Sequence, residues 1–300
     1  MTPKPRKPTT SPPIGPSLQS RPIPTEIVDT HHHLWRLRDI TPDGILGAPY
    51  LSRDFLWPDF EEDWSELPVR RTVFVQVRSD VDEVTFVEGV AQSEQRLGAM
   101  IAWAPLERPE LDVLLPRLGQ HRLVRGVRRN TQYEVDPLFC AREAYVRGAR
   151  LLGETGLLCE ICVRYEQIEG AVALAQACPE TVIVLEHLGK PDVASAPAGY
   201  WLAAIEKLAA LPNVFCKVSV VVHSDSDPPY REESLEPFVR HAVEAFGWRR
   251  VLFGSNWPVS TAVAGYARWL ELLEATLPGG SAGDREAFFA TNARRLYSLD

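Results

Sequence analysis

The sequence predicts a (β/α)8 TIM barrel built as a single domain, and three observations carry that expectation. Eight short runs rich in Val, Ile, Leu and Phe are almost continuously apolar, as strands covered on both faces must be. Longer stretches with helical patterning lie between them, and such alternation implies parallel strands joined by helical crossovers. The set spreads over the ~250 residues usual for a closed barrel, which favours closure over an open doubly wound sheet. No G-x-G-x-x-G follows the first run, so the fingerprint of the dinucleotide-binding alternative is missing.

Taken in order, residues 1–24 are dense in Pro, Ser, Thr and basic residues and contain no acid, which reads as a disordered tail. The barrel domain is expected over residues 25–300, with order beginning near Glu26. Strands are expected at Ile27–His31, Thr72–Val77, Ala99–Ala104, Leu123–Val127, Leu157–Val163, Val182–His187, Val214–Ser219 and Val251–Ser255. Helices are expected at Val81–Leu97, Ala141–Thr155, Ile168–Ala177, Trp201–Leu211 and Leu235–Phe246. The stretch Leu34–Leu67 breaks the rhythm and carries Trp35, Tyr50, Trp57 and Trp64 among prolines and acids. A long first βα segment sits over the catalytic face of a barrel. Some of these aromatics should therefore cap a pocket, and others should simply bury themselves.

Composition narrows the function classes. A hydrophobic share of 45% supports a sizeable core. The net charge of −8 argues against nucleic acid, whose phosphates need a basic face. No apolar run approaches the ~18–20 residues of a membrane span, and no hydrophobic segment follows the basic start as in a secretory signal. The five cysteines, Cys140, Cys159, Cys162, Cys178 and Cys216, form an odd set without framework spacing. They read as reduced thiols of a cytoplasmic protein, and the C-x-x-C at Cys159 and Cys162 as buried strand residues. A homodimer is the default for such an enzyme.

Chemistry in this fold gathers at the C-terminal ends of the strands. Those ends read Asp29-Thr30-His31-His32-His33, Gln76-Val77-Arg78, Gly126-Val127-Arg128, Glu160-Ile161-Cys162, Glu186-His187-Leu188-Gly189-Lys190-Pro191, Lys217-Val218-Ser219 and Gly254-Ser255-Asn256-Trp257-Pro258. His31 and His33 are two apart, so both face the same side, and His32 faces the layer behind. Two inward imidazoles can share a Zn2+ or bind one substrate oxygen. His187 and Asn256 end later strands and join the same face.

These segments resemble the amidohydrolase-2 group of TIM-barrel hydrolases. The resemblance rests on Asp29-x-His31-x-His33-Leu34-Trp35, Gly126-Val127-Arg128, His187-Leu188-Gly189-Lys190-Pro191, Lys217-Val218-Ser219 and Phe253-Gly254-Ser255-Asn256-Trp257-Pro258-Val259, and it runs from about Glu26 to the C-terminus. The branch resembled is that of the sugar-acid lactonases, such as fuconolactonase and rhamnonolactonase, and of 2-pyrone-4,6-dicarboxylate lactonase. It implies hydrolysis of a cyclic ester of a sugar acid or carboxylated small molecule. His31, His33 and His187 would contact a divalent metal, zinc, or the lactone carbonyl. Arg128 and Lys190 would suit a substrate carboxylate or hydroxyl, with Gln76, Arg78, Trp35, His223 and Trp257 as further substrate contacts.

Position 256 departs from the pattern, because the resemblance leads one to expect Asp there. An amide cannot take a proton from water, although it can orient one by hydrogen bonding. Three repairs are open: zinc on the histidines, Glu160 or Glu186 as base, or His223 beyond the seventh strand. A zinc-dependent decarboxylase and a non-catalytic binding protein are the alternative readings.

Overall fold

The computed structural model describes residues 24–43, 48–195, 197–222 and 230–300. The expected tail therefore lies almost wholly outside the described residues, as does His223. Eight strands form one parallel sheet in sequence order: β1 (Ile27–His32), β2 (Val69–Val75), β3 (Leu97–Ala102), β4 (Val124–Arg128), β5 (Leu158–Ile161), β6 (Ile183–Leu185), β7 (Val214–Val218) and β8 (Val251–Phe253). The barrel closes between β8 and β1, where the Asn256 N–H donates to the His31 carbonyl at 2.8 Å and the His33 N–H to the Trp257 carbonyl at 2.8 Å. The predicted TIM barrel is the fold.

The helices are α1 (Trp57–Trp64), α2 (Glu83–Ser93), α3 (Leu111–Leu118), α4 (Glu143–Glu154), α5 (Ile168–Ala177), α6 (Gly199–Ala209), α7 (Glu236–Phe246), α8 (Tyr266–Thr276), α9 (Ala282–Glu286) and α10 (Asn292–Tyr297). Periodicity located α2 and α4 to α7, and α8 to α10 lie beyond the helices expected from it. It missed α3, where Pro116 sits inside the helix and reads as a break. It also missed α1, whose apolar residues Trp57, Phe60 and Trp64 bury against the barrel wall within the long first βα segment.

Several strands end earlier than their apolar runs suggest. The expected strand over Val182–His187 stops at Leu185, and the one over Val251–Ser255 stops at Phe253. The residues beyond them turn out of the extended region, His187 at φ 51°, Leu188 at 58°, Lys190 at 44° and Asn256 at 61°. Left-handed backbone is uncommon for residues with a side chain, and it ends the ladder where the functional residues begin.

Two apolar layers hold the barrel. The larger lies between the strands and the surrounding helices. The smaller fills the lower interior, where Val28, Val73, Val75, Ile101, Leu158, Val184 and Leu252 meet Ala293, Tyr297 and Leu299 of the C-terminal segment. That segment plugs the N-terminal end of the barrel, tied to the start of β4 by the Arg125 Nε donating to the Tyr297 carbonyl at 2.9 Å. Among the described residues, no helix is long and apolar enough to cross a membrane. All five cysteines are buried and unpaired.

Candidate active site

A cavity of about 300 Å³ opens at the C-terminal end of the strands. Its floor carries His33, Gln76, Arg128, Cys162, His187, Lys190 and Asn256. Trp35, Ala48, Tyr50 and Leu51 form one wall from the first βα segment, and Asn130, Gln132 and Tyr133 form another from the loop after β4. The aromatics of the first segment divide as expected: Trp35 and Tyr50 line the cavity, whereas Trp57 and Trp64 pack edge to face at 6.4 Å behind it.

The three histidines of β1 have different tasks. His32 faces outward, stacked on Phe60 at 4.4 Å, with its Nε2 3.0 Å from the Thr72 hydroxyl. His33 Nδ1 lies 2.7 Å from the Val75 carbonyl, which can only accept, so that nitrogen carries the proton. The bare Nε2 of His33 then meets His31 Nε2 at 3.2 Å. His33 thus lines the cavity with its lone-pair nitrogen beside His31. His31 lies one layer deeper, and Gly254 makes room for it, because a Cβ there would come within 3.0 Å of His31 Cβ. His31 Nδ1 faces Glu186 Oε1 at 3.7 Å, and neither atom has a hydrogen-bond partner among the described residues.

His187 follows β6 with Nδ1 2.7 Å from the Ser219 hydroxyl and Nε2 3.8 Å from Glu186 Oε2. Asn256 Nδ2 donates to the Val220 carbonyl at 2.9 Å, which assigns Oδ1 as the free acceptor of the amide. Among the described residues, His187 Nε2 and the Asn256 amide oxygen therefore have no hydrogen-bond partner.

The cations are already engaged. Arg128 donates from Nη1 to Glu186 at 2.8 Å and from Nη2 to the Gln76 carbonyl. Lys190 Nζ is held by Gln132 Oε1 and by the Val222 carbonyl at 2.7 Å. Burial alone would raise the Glu186 carboxyl, but Arg128 and Lys217 overcome it and hold the group well below the usual carboxylate range. Burial pushes His31 and His187 well below the ordinary histidine value and His33 down to about 3, so these rings are neutral at neutral pH.

Other expected site residues stand elsewhere. Glu160 alternates inward with Leu158 and Cys162, as the strand period requires, but it lies beneath the cavity, bound to Lys217 and Tyr297. Arg78 turns to Asp80 and is not part of the lining, although its neighbours Val77 and Ser79 are. Trp257 is buried against Phe60, with its indole N–H on Asp63, and faces a separate surface cleft. An acid joins the expected histidines. His31, Glu186 and His187 bring donor atoms within 4.8 Å of one another. The Val75 carbonyl holds His33 Nδ1 and leaves its Nε2 beside that of His31, the tautomer a metal-ligating histidine uses. Asn130 and Gln132 escaped the sequence reading because it stopped at the strand ends; reading on past Arg128 would have reached them.

Comparison with known proteins agrees with this architecture. The amidohydrolase family profile matches residues 28–299. An L-fucono-1,5-lactonase from Burkholderia multivorans is 31% identical over 286 residues, covering 91% of this chain and 96% of its own. A 4-sulfomuconolactone hydrolase from Rhizobium radiobacter is 27% identical over 256 residues, covering 82% and 81%. The crystal structure of a Burkholderia multivorans amidohydrolase with bound zinc superposes with a TM-score of 0.81 at 31% identity, covering 91% of this chain and 99% of that one. With the profile running through nearly the whole barrel, this chain belongs to the amidohydrolase family.

Proposed function

We propose that this chain is a lactonase that opens uncharged, polyhydroxylated lactones. The observation that carries the reading is that His187 and Asn256 both line a cavity whose cations are already neutralised or engaged. Two of the named relatives, the fuconolactonase and the sulfomuconolactone hydrolase, act on lactones. Carboxylate recognition by Arg128 and Lys190 would have to break their existing bonds, whereas Gln76, Asn130 and Gln132 suit hydroxyl groups.

In this scheme the Asn256 oxygen accepts one hydrogen of the attacking water and orients it. His187 Nε2 takes the other as the water oxygen bonds to the lactone carbonyl carbon. Ser219 fixes the ring through Nδ1, and Glu186 stabilises the imidazolium that forms. The ring C–O bond then breaks, and the proton held by His187 passes to the departing ring oxygen, giving a hydroxy acid. Asn256 therefore replaces an acid by positioning the water, and His187 supplies the basicity.

The donor set also fits a divalent cation. Ligands about 2.0–2.2 Å from a common zinc lie no more than ~4.4 Å apart, and His31 Nδ1 at 3.7 Å from Glu186 Oε1 and His187 Nε2 at 3.8 Å from Glu186 Oε2 each fall within that limit. The two unpartnered atoms, His31 Nδ1 and Glu186 Oε1, are the ones a cation would satisfy. When bound there, it would polarise the carbonyl and lower the pKa of water, and His187 would serve as a ligand instead of a base.

The test follows proton release from aldonolactones and from carboxylated lactones, with added Zn2+ and with chelator. Turnover of the neutral lactones is expected, and the chelator separates the two roles of His187. A preference for carboxylated rings would overturn the substrate class, and folded protein inert to the whole panel would sink the lactonase reading.

A further inference from the structure

Beneath the cavity floor runs a column of buried polar groups that no step above uses. The Tyr297 hydroxyl of α10 donates to Glu160 Oε1 at 2.7 Å. Glu160 Oε2 receives Lys217 Nζ at 2.5 Å. Glu160 is the register partner of Arg128 across β4 and β5, and Arg128 in turn binds Glu186 at 2.8 Å. Tyr297, Glu160, Lys217 and Glu186 are all fully buried, and Arg128 nearly so.

Such an arrangement is a poor way to gain stability. Taking two ion pairs out of water costs several kcal/mol per ion before their attraction is counted, and apolar side chains of like volume often do as well. The layer directly below is apolar in that way, with Leu158, Val184 and Leu252. The charges begin where the strands approach the histidines. Glu160 could not serve as base, because both its oxygens are engaged below the floor.

We propose that Tyr297, Glu160 and Lys217 are positioning residues, a column that holds the Glu186 carboxylate in place beneath His31 and His187. Tyr297 fixes one oxygen of Glu160 and Lys217 the other, so that Glu160 is anchored beside Arg128. Arg128 then keeps the Glu186 carboxylate aimed at the imidazoles. The C-terminal helix that plugs one end of the barrel is in this way mechanically part of the site at the other. The proposal rests on the assigned role of Glu186, but its test need not depend on lactone turnover.

Glu160→Gln and Tyr297→Phe are nearly isosteric and remove, respectively, the charge that orients Lys217 and the hydroxyl that orients Glu160. In histidine-labelled protein, the imidazole nitrogen resonances of His31 and His187 should shift in both variants, while His121, which pairs with Glu88 outside the barrel, stays put. Lactone kinetics should show kcat reduced about tenfold or more with KM unchanged within a factor of about two. The double variant should lose little more than Glu160→Gln alone, because both act through one path. Unmoved His31 and His187 signals in the folded variants would overturn the column, whatever the wild type does with lactones. Moved signals in a wild type inert to lactones would keep the column and discard the proposed reaction. A fall in KM-type binding alone, or fully additive losses, would also overturn it.

Discussion

The two ends of the barrel interior are built on opposite principles. At the N-terminal end, apolar strand residues meet α10 and its neighbours, and Tyr297 brings a hydroxyl that is hydrogen-bonded to Glu160. At the C-terminal end, His187, Lys190 and Asn256 sit in left-handed backbone, and His31 Nδ1, Glu186 Oε1 and Arg128 Nε lack partners among the described residues. The contrast teaches where this fold places stability and where it spends it. Unsatisfied polar atoms and strained dihedrals each cost about 1–3 kcal/mol, and they persist only where well-packed structure over-determines them.

Substitutions at the two ends should therefore separate activity from stability. His187→Ala should lower kcat/KM by about 10²–10⁴-fold, with the unfolding midpoint in denaturant nearly unchanged, since the ring lies at a strained floor position. Equal loss of stability and activity would blur the comparison. Phe288→Ala, in the buried layer outside the barrel wall beside Trp248 and Phe253 and away from the cavity, should do the reverse. Denaturant unfolding should show a loss of about 3–5 kcal/mol, with KM for the best lactone unchanged.

A smaller effect is expected at Asn256. Asn256→Asp removes the N–H that donates to Val220 and places a carboxylate oxygen against that carbonyl. Stability should fall by about 1–3 kcal/mol, while zinc affinity, read by competition with a chelating dye, should rise. Stability restored by zinc would show that the floor is tuned for a neutral amide in the metal-free state. Unchanged affinity would place the cation away from this residue.

The smallest effect concerns pH. Burial, followed by the nearby His33, holds His32 well below its ordinary value of 6.5, so the folded ring stays neutral where the unfolded one takes a proton. The stability it contributes is present above pH 6.5 and is lost as pH falls. Wild type should therefore lose about 1–2 kcal/mol more than His32→Gln between pH 7 and pH 5, as measured by denaturant unfolding. Parallel curves would mean that the ring is solvated when folded.

Much of this molecule is legible in sequence because its signals are local. Buried parallel strands must be apolar runs, so all eight were found, and the two-residue period places His31 and His33 on one side and His32 on the other. The strand-end rule then identifies His187, Lys190 and Asn256, whose positions follow from where a run stops. The helices α1 and α3 were hidden because an internal proline and an irregular aromatic segment carry no clean period. Arg78 and Trp257 sit at strand ends like their neighbours, and only the structure shows that Asp80 and Asp63 engage them away from the cavity.

What the sequence by itself determined was the barrel, its chemical end and the residue types gathered there. Only the tertiary structure decided which partners each residue meets. The Val75 carbonyl fixes the tautomer of His33, and Arg128 binds the Glu186 carboxylate beside the histidines. Tyr297 and Lys217 withdraw Glu160 from the floor. Those outcomes depend on which partners arrive from distant strands and how deeply they are buried. A side chain's protonation and reach are set by those neighbours and not by its own place in the chain.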